Sequence, residues 1–437
     1  MEALISKLNE DQLHLLLSIG ENQDILKNVS ETLIKTTPSM LSTPESKSKL
    51  EQVLNTYNNK KESLLADIKT IQEGSPILNK IVEKKPIRIY MDGVFDIIHS
   101  GHFNAIRQAK KLGDVLVVGI NKDEDIIRAK GPTIMNDKER IFLASACKWG
   151  DEFVGYTPYT PNIKLLDELN CDYCAHGDDI VFDENGKSVY DEIIKAGRMK
   201  YFKRTEGVST TEITGKLLYN TLQQEAPNSD TFNEYKKYNK PVQSKFLETS
   251  RRMALFSNNR APSKSDKVVY FPGDFDLLGI GTIEALKKAK EEGSFVYAGI
   301  YSDELVAKIK GKNYPYLTIN ERTFNILALK YVDEVIVNPL YKISQDFLDL
   351  LNISVVFNAG NTDDDSEKLN VDGLGDPFEI PKKNGIYKYA KVEHDISNKL
   401  FEERIFKQKE TYLKKFIKKS LSDEKCKELS TVKMNEI

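Results

Sequence analysis

Residues 90–102 read Tyr-Met-Asp-Gly-Val-Phe-Asp-Ile-Ile-His-Ser-Gly-His. Ile87, Ile89 and Met91 alternate as a strand does, while Phe103, Ile106 and Leu112, with Ala105 and Ala109, recur at helical spacing. The stretch is therefore a strand-to-helix crossover. His99 and His102, three residues apart where the loop meets the helix, can point toward one spot beside the helix N-terminus, where unpaired N–H groups and the dipole favour an anion. Gly101 removes a side chain between them, so backbone can approach a phosphate. In one reading His99 merely caps the helix and His102 is a core histidine; in the other both rings do phosphate chemistry. The chain has only 5 histidines, and two of them at one junction favour the second reading.

Outward from this crossover the pattern stays α/β. Val115 to Ile120 is a continuous apolar run suited to a central parallel strand. Asn136 and Glu139 have the spacing of a capping box before a helix carrying Ile141, Phe142 and Ala144 toward a core Trp149. Glu152 to Gly155 and Asp172 to Ala175 read as further strands, and Glu184 to Lys187 as a tight turn. Strands alternating with helices predict a doubly wound parallel sheet with its ligand at the strand carboxyl ends.

The chain then repeats itself. Val268 to Asp276 parallels Ile87 to Asp96, and Lys310-Gly311 parallels Lys130-Gly131, both at an offset of 180 (276 − 96 and 310 − 130). Glu321-Arg322 parallels Glu139-Arg140, and Lys330 to Glu334 parallels Lys148 to Glu152, at an offset of 182 (322 − 140 and 334 − 152). Register held over so many points marks a duplicated unit. His99 and His102 correspond to Gly279 and Thr282, which offer no imidazole, so the second unit is expected to keep the fold and lack catalysis. The expected organisation is a helical extension over 1–84, a catalytic domain over 85–222, a linker over 223–266, a degenerate second domain over 267–420 and a polar tail over 421–437. The closing helix, through Phe401, Ile405, Tyr412, Phe416 and Ile417, carries Lys414, Lys415, Lys418 and Lys419 on its flanks, read as a solvated face with peripheral membrane contact as the alternative.

The 437 residues hold material for roughly two to three domains. Lys+Arg 63 against Asp+Glu 66 argues against a nucleic-acid partner. Four cysteines are too few and scattered for a disulfide scaffold, and the lone Cys171-x-x-Cys174 pair lacks a second pair at zinc spacing, so core packing is expected. The start has no signal-peptide pattern and no stretch approaches the ~20 apolar residues of a membrane span. A cytoplasmic location is expected.

The His99-Ser100-Gly101-His102 element resembles the signature of the HxGH nucleotidyltransferases, and Arg204 to Thr211 (Arg-Thr-Glu-Gly-Val-Ser-Thr-Thr) resembles the second signature of their cytidylyltransferase branch. The first alone leaves adenylyl and cytidylyl transfer open; together they narrow the choice to enzymes acting on phosphocholine, phosphoethanolamine or glycerol phosphate. Tandem units, and the His176-Gly-Asp-Asp-Ile180 stretch, are similar to the ethanolamine-phosphate cytidylyltransferases. That resemblance covers residues 85 to about 420 and leaves the N-terminal extension unexplained. It implies two Rossmann-like nucleotidyltransferase domains, and transfer of CMP from CTP to phosphoethanolamine for phospholipid synthesis. It further implies that His99, His102, Lys130 and Arg204 are catalytic. Val94, Phe95, Gly101, His176, Asp178, Thr205, Gly207, Val208, Ser209 and Thr210 would join His102, Lys130 and Arg204 in binding CTP. Asp96, Lys130, Tyr159 and Phe182 would meet the phosphoamine. Mg2+ is expected to arrive with CTP, without a dedicated protein cage. A phosphocholine cytidylyltransferase and a CTP-binding regulatory or scaffold protein are the alternatives. The two halves could form an internal pseudo-dimer in a monomer, or the chain a homodimer.

Overall fold

Strand β1 (Arg88–Gly93) has no solvent face: Ile89, Tyr90 and Met91 are all buried. Such a strand belongs in the middle of a sheet covered on both sides. It lies between β2 (Val115–Asn121) and β4 (Tyr173–Gly177), with β3 (Glu152–Thr157) outside β2 and β5 (Met199–Phe202) outside β4. The order is β3-β2-β1-β4-β5 and every pairing is parallel. The chain winds outward from β1 to β3, then returns to start β4 on the other side. The switch point thus lies at the carboxyl ends of β1 and β4, where a doubly wound sheet opens a crevice. This computed structural model describes residues 85–179, 188–205, 207–225, 227, 229–238, 250–361 and 373–418.

The second half repeats the first. Strands β6 (Val268–Gly273), β7 (Phe295–Ile300), β8 (Glu334–Val337), β9 (Ile353–Gly360) and β10 (Tyr387–Lys391) form a parallel sheet of order β10-β9-β6-β7-β8, the same winding read from the other end. Both copies open a helix with a complete capping box, Asn136 with Glu139 and Thr318 with Glu321. In both, a fully buried arginine ties the switch-point loop to the sheet: Arg140 donates to the carbonyls of Val94 and Asn121, and Arg322 to those of Asp274 and Tyr301.

Both lobes lie in one compact unit that begins at Pro86. Cys147 and Leu329 face each other in an isolated antiparallel bridge, flanked by hydrogen bonds from Lys148 N–H to Ala328 O and from Lys330 N–H to Ala146 O, each 3.0 Å. These residues are copies of each other (329 − 147 = 182, the repeat offset), so each lobe meets its own image, as in an isologous dimer. Lys216 of the first lobe approaches Glu321 at 3.8 Å, while Arg404 of the helix Lys399–Lys407 grips Glu139 with bonds of 2.6 and 2.8 Å. A single apolar core runs through both lobes, from Ile89 to Leu413.

The stretch read as a linker is not aperiodic. It carries helices Asp230–Tyr238 and Ser250–Phe256, and buries Phe232, Tyr235 and Phe256 in the shared core. Cys171 and Cys174 are free and buried in the core, as expected. The helical extension over 1–84, the turn at 184–187 and the tail over 421–437 lie outside the described residues. No helix among the described residues is long and apolar enough to cross a membrane.

Candidate active site

The helix Ser100–Lys110 starts at the carboxyl end of β1, and His99 is its N-cap: Nδ1 accepts the Gly101 N–H at 3.1 Å. A ring whose Nδ1 accepts carries its neutral-state proton on Nε2, and that nitrogen faces Thr210 Oγ1 at 3.3 Å. Thr210 in turn donates to the Asp96 carbonyl at 3.4 Å. His102 lies against His99, ring centroids 3.9 Å apart and 27° between planes, with the edge of Phe95 at 5.5 Å. Its Nδ1 is buried and has no hydrogen-bond partner. A buried polar atom left so costs about 1–3 kcal/mol, which a ligand oxygen would recover.

Burial drives both rings toward the neutral form. His102 is pulled down to about 3 by burial and by the nearby charges of Arg204 and Lys130. His99 falls well below its ordinary value through burial, His102 and Arg204. At neutral pH the pair is therefore uncharged; the His99 N–H goes to Thr210, which leaves His102 as the ring open to a ligand.

These rings border a cleft of about 380 Å³ at the switch point. Of the residues expected from sequence, Val94, Phe95, Asp96, Gly101, Lys130, His176, Arg204, Thr205, Val208, Ser209 and Thr210 line it with them. Arg204 is engaged already: Nη1 meets Asp179 at 2.7 Å, and its backbone N–H donates to Asp178 at 2.9 Å. Asp178 thus acts on the chain bearing Arg204 and does not itself line the cleft. Gly207 stands aside at φ 83°, a conformation suited to glycine. Tyr159 also stands aside, with Lys130 Nζ over its ring at 5.2 Å, so the cation facing it belongs to the protein. Phe182 lies outside the described residues.

Asp96 was expected to face an ammonium, yet both its oxygens accept backbone N–H groups, from Ile134 and Met135, at 2.9 Å. Its copy Asp276 does the same with Tyr316 and Leu317 at 2.8 Å. A bond kept in both lobes, one of them without the histidines, braces the loop. Asp92 differs: it is buried, held by Asn121 Nδ2 at 3.1 Å and Tyr190 OH at 3.2 Å, lines the cleft, and its copy is Pro272 (272 − 92 = 180). Burial raises its pKa, opposed first by the Asn121 hydrogen bond and then by His176. The comparison of halves held this signal, but it was not drawn from the sequence. Tyr412, Lys415 and Phe416 also line the cleft, from the far end of the chain, and no local motif marks them.

The second lobe's cleft is chemically different. Gly279 caps its helix with no side chain, and Lys310, the copy of Lys130, is paired at 2.5 Å with Asp274, the copy of Val94 (274 − 94 = 180). A carboxylate thus stands beside the one retained cation.

The family described as Cytidylyltransferase-like matches the chain twice, over residues 90–216 and 270–397. The ethanolamine-phosphate cytidylyltransferase of Dictyostelium discoideum is 40% identical over 365 residues, covering 78% of this chain and all of the relative. That of Mus musculus is 33% identical over 362 residues, covering 76% of this chain and 88% of the relative. Choline-phosphate cytidylyltransferase A of Rattus norvegicus is 40% identical over 138 residues, only 31% of this chain and 37% of its own.

Proposed function

This chain belongs to the ethanolamine-phosphate cytidylyltransferase family, and from that premise we infer that it transfers CMP from CTP to phosphoethanolamine, the first lobe doing the chemistry. A phosphate oxygen of phosphoethanolamine attacks the α-phosphorus of CTP; the bond from that phosphorus to the β-phosphate bridge breaks, and pyrophosphate leaves with the electron pair. No covalent enzyme intermediate is needed, so alignment and stabilisation of spreading negative charge make up the task.

The observation that carries this assignment is the stacked, neutral His99–His102 pair at the switch point, with an unpartnered buried nitrogen, in the lobe whose copy has Gly279 and Thr282 instead. His102 donates to phosphate oxygens as charge develops, and the Gly101 backbone leaves them room. Lys130 bridges the two reacting phosphates as a mobile point charge. Arg204, held by Asp179 through Nη1, offers its remaining N–H groups to the triphosphate. Asp92, rather than Asp96, meets the ammonium of the second substrate, because it is a cleft carboxylate that the second lobe replaces by Pro272 and, unlike Asp179, it is not paired with an arginine.

Mg2+ fits here as a companion of CTP. The carboxylates around the cleft already have partners: Asp96 in the backbone, Asp92 in Asn121 and Tyr190, Asp178 and Asp179 in Arg204. Triphosphate oxygens and water would therefore hold the ion, whose contribution is to neutralise phosphate charge.

The test is pyrophosphate release by the purified chain given CTP with either phosphoethanolamine or phosphocholine. Phosphoethanolamine should be turned over at the higher kcat/KM. Preference for phosphocholine, or binding of CTP without turnover of either, would overturn the assignment.

A further inference from the structure

After the helix Lys399–Lys407 the chain turns at Gln408 and is helical again over 409–418. This last segment follows the second lobe in sequence, yet it lines the first lobe's cleft. One contact fastens the helix before it and another the segment itself. Arg404 binds Glu139 through both nitrogens and the Ile134 carbonyl at 2.9 Å. Phe416 stacks on Tyr235 at 5.1 Å between ring centroids, over Gly215, where a Cβ would approach the Phe416 ring to 2.8 Å.

The segment brings two polar groups into the cleft. The Tyr412 hydroxyl is buried without a hydrogen-bond partner, although Tyr412 as a whole is only 3% exposed and lines the cavity. Lys415 lines the same cavity as Lys130, and both side chains remain exposed to solvent there, open to an incoming ligand. The Lys415 pKa is lowered by desolvation; Asp96 opposes the shift and Lys130 adds to it. Asp96 already accepts the N–H groups of Ile134 and Met135. Two ammonium groups thus line one cleft with no carboxylate among the described residues paired to Lys415, an arrangement that suits an anion between them.

We propose that Tyr412 and Lys415 are substrate-binding residues of the first lobe, with Lys415 and Lys130 holding the phosphomonoester dianion of the acceptor between them. This deepens the reading given above and rests on it. The acceptor phosphate is favoured over the triphosphate because the latter already has His102 and Arg204 as donors in the same cleft. A phosphomonoester carries a charge of about −1.5 to −2 near neutral pH, which suits two lysines and a hydroxyl. A segment that follows the second lobe is then part of the working site of the first.

The experiment uses the full chain with Lys415→Met, which keeps the apolar stem, Lys415→Arg, which keeps the charge, and Tyr412→Phe. Lys414→Ala, exposed and outside the cleft, is the control. Lys415→Met should raise KM for phosphoethanolamine about tenfold or more, the usual size for losing a hydrogen bond between charged groups, with KM for CTP within about twofold and the melting temperature unchanged. Lys415→Arg should recover most of the loss, and Tyr412→Phe should raise the same KM by a smaller factor. A phosphoethanolamine KM within twofold of the parent in Lys415→Met, or a loss that Lys415→Arg and Lys414→Ala share together with a lowered melting temperature, would overturn the proposal. If the parent chain itself turns over neither phosphoamine, the reaction assignment fails; calorimetric binding of phosphoethanolamine in the presence of CTP then judges Lys415, with equal affinity in parent and Lys415→Met counting against it.

Discussion

At the scale of single residues, the cleft presents two desolvated, neutral rings. Removing one donor that acts in the transition state typically costs about 10²- to 10³-fold in rate. His102→Ala should therefore fold with a near-parental melting temperature and lose turnover by that factor; steady-state pyrophosphate release checks it, and activity within a few-fold of the parent would remove His102 from the mechanism. The depressed pKa has a second consequence, for stability. Unfolded histidine takes a proton below about pH 6.5, whereas native His102 does so only near 3. Between those values the unfolded state binds more protons, so the stability due to this ring is complete above pH 6.5 and is lost as the pH falls. From pH 6.5 to 4.5 that loss is about 2 kcal/mol, and His102→Asn should lack it when urea midpoints are compared across the range. The motif made the two histidines legible, but their protonation state was not, because it follows from burial that only the closed fold supplies. Asp96 stayed open between an ammonium partner and a loop cap for the same reason: an acid at a loop looks alike whether it faces a ligand or the backbone.

At the scale of elements, the parallel strands were legible because apolar runs without a polar face have few other places to go. Close packing between them was less so. Gly119 on β2 sits against the ring of Tyr90 on β1, where a Cβ would overlap the tyrosine hydroxyl, and Gly299 and Tyr270 repeat the contact in the second sheet. Both tyrosines are buried and have little room to turn aside. Gly119→Ala and Gly299→Ala should each cost about 1–3 kcal/mol, the usual price of overpacking a core, seen as a lower urea midpoint at unchanged slope. A neutral result at either position would show that the sheet yields locally. The helices between the lobes escaped the sequence reading because Phe232 and Tyr235, three residues apart, are embedded in a polar, lysine-rich stretch where periodicity is weak.

At the scale of the whole molecule, duplication was legible from register, while the return of the C-terminal segment to the first lobe's cleft was not. Tyr412 and Lys415 are separated from His102 by some three hundred residues, and nothing in their neighbourhood distinguishes them from a solvated helix. The shared core has a thermodynamic signature. Because apolar contacts continue from one sheet to the other, both lobes should unfold in one cooperative calorimetric transition rather than two. Two resolved transitions would mean that the lobes are stable apart.

The paired backbone at Cys147 and Leu329 bears on concentration. Contacts that separate subunits would lose on dilution are here joined by one polypeptide, whose connecting helices bury Phe232, Tyr235 and Phe256 in the shared core. Specific activity should accordingly stay constant as the protein is diluted to nanomolar levels, and every working cleft keeps its neighbour whatever the abundance of the chain.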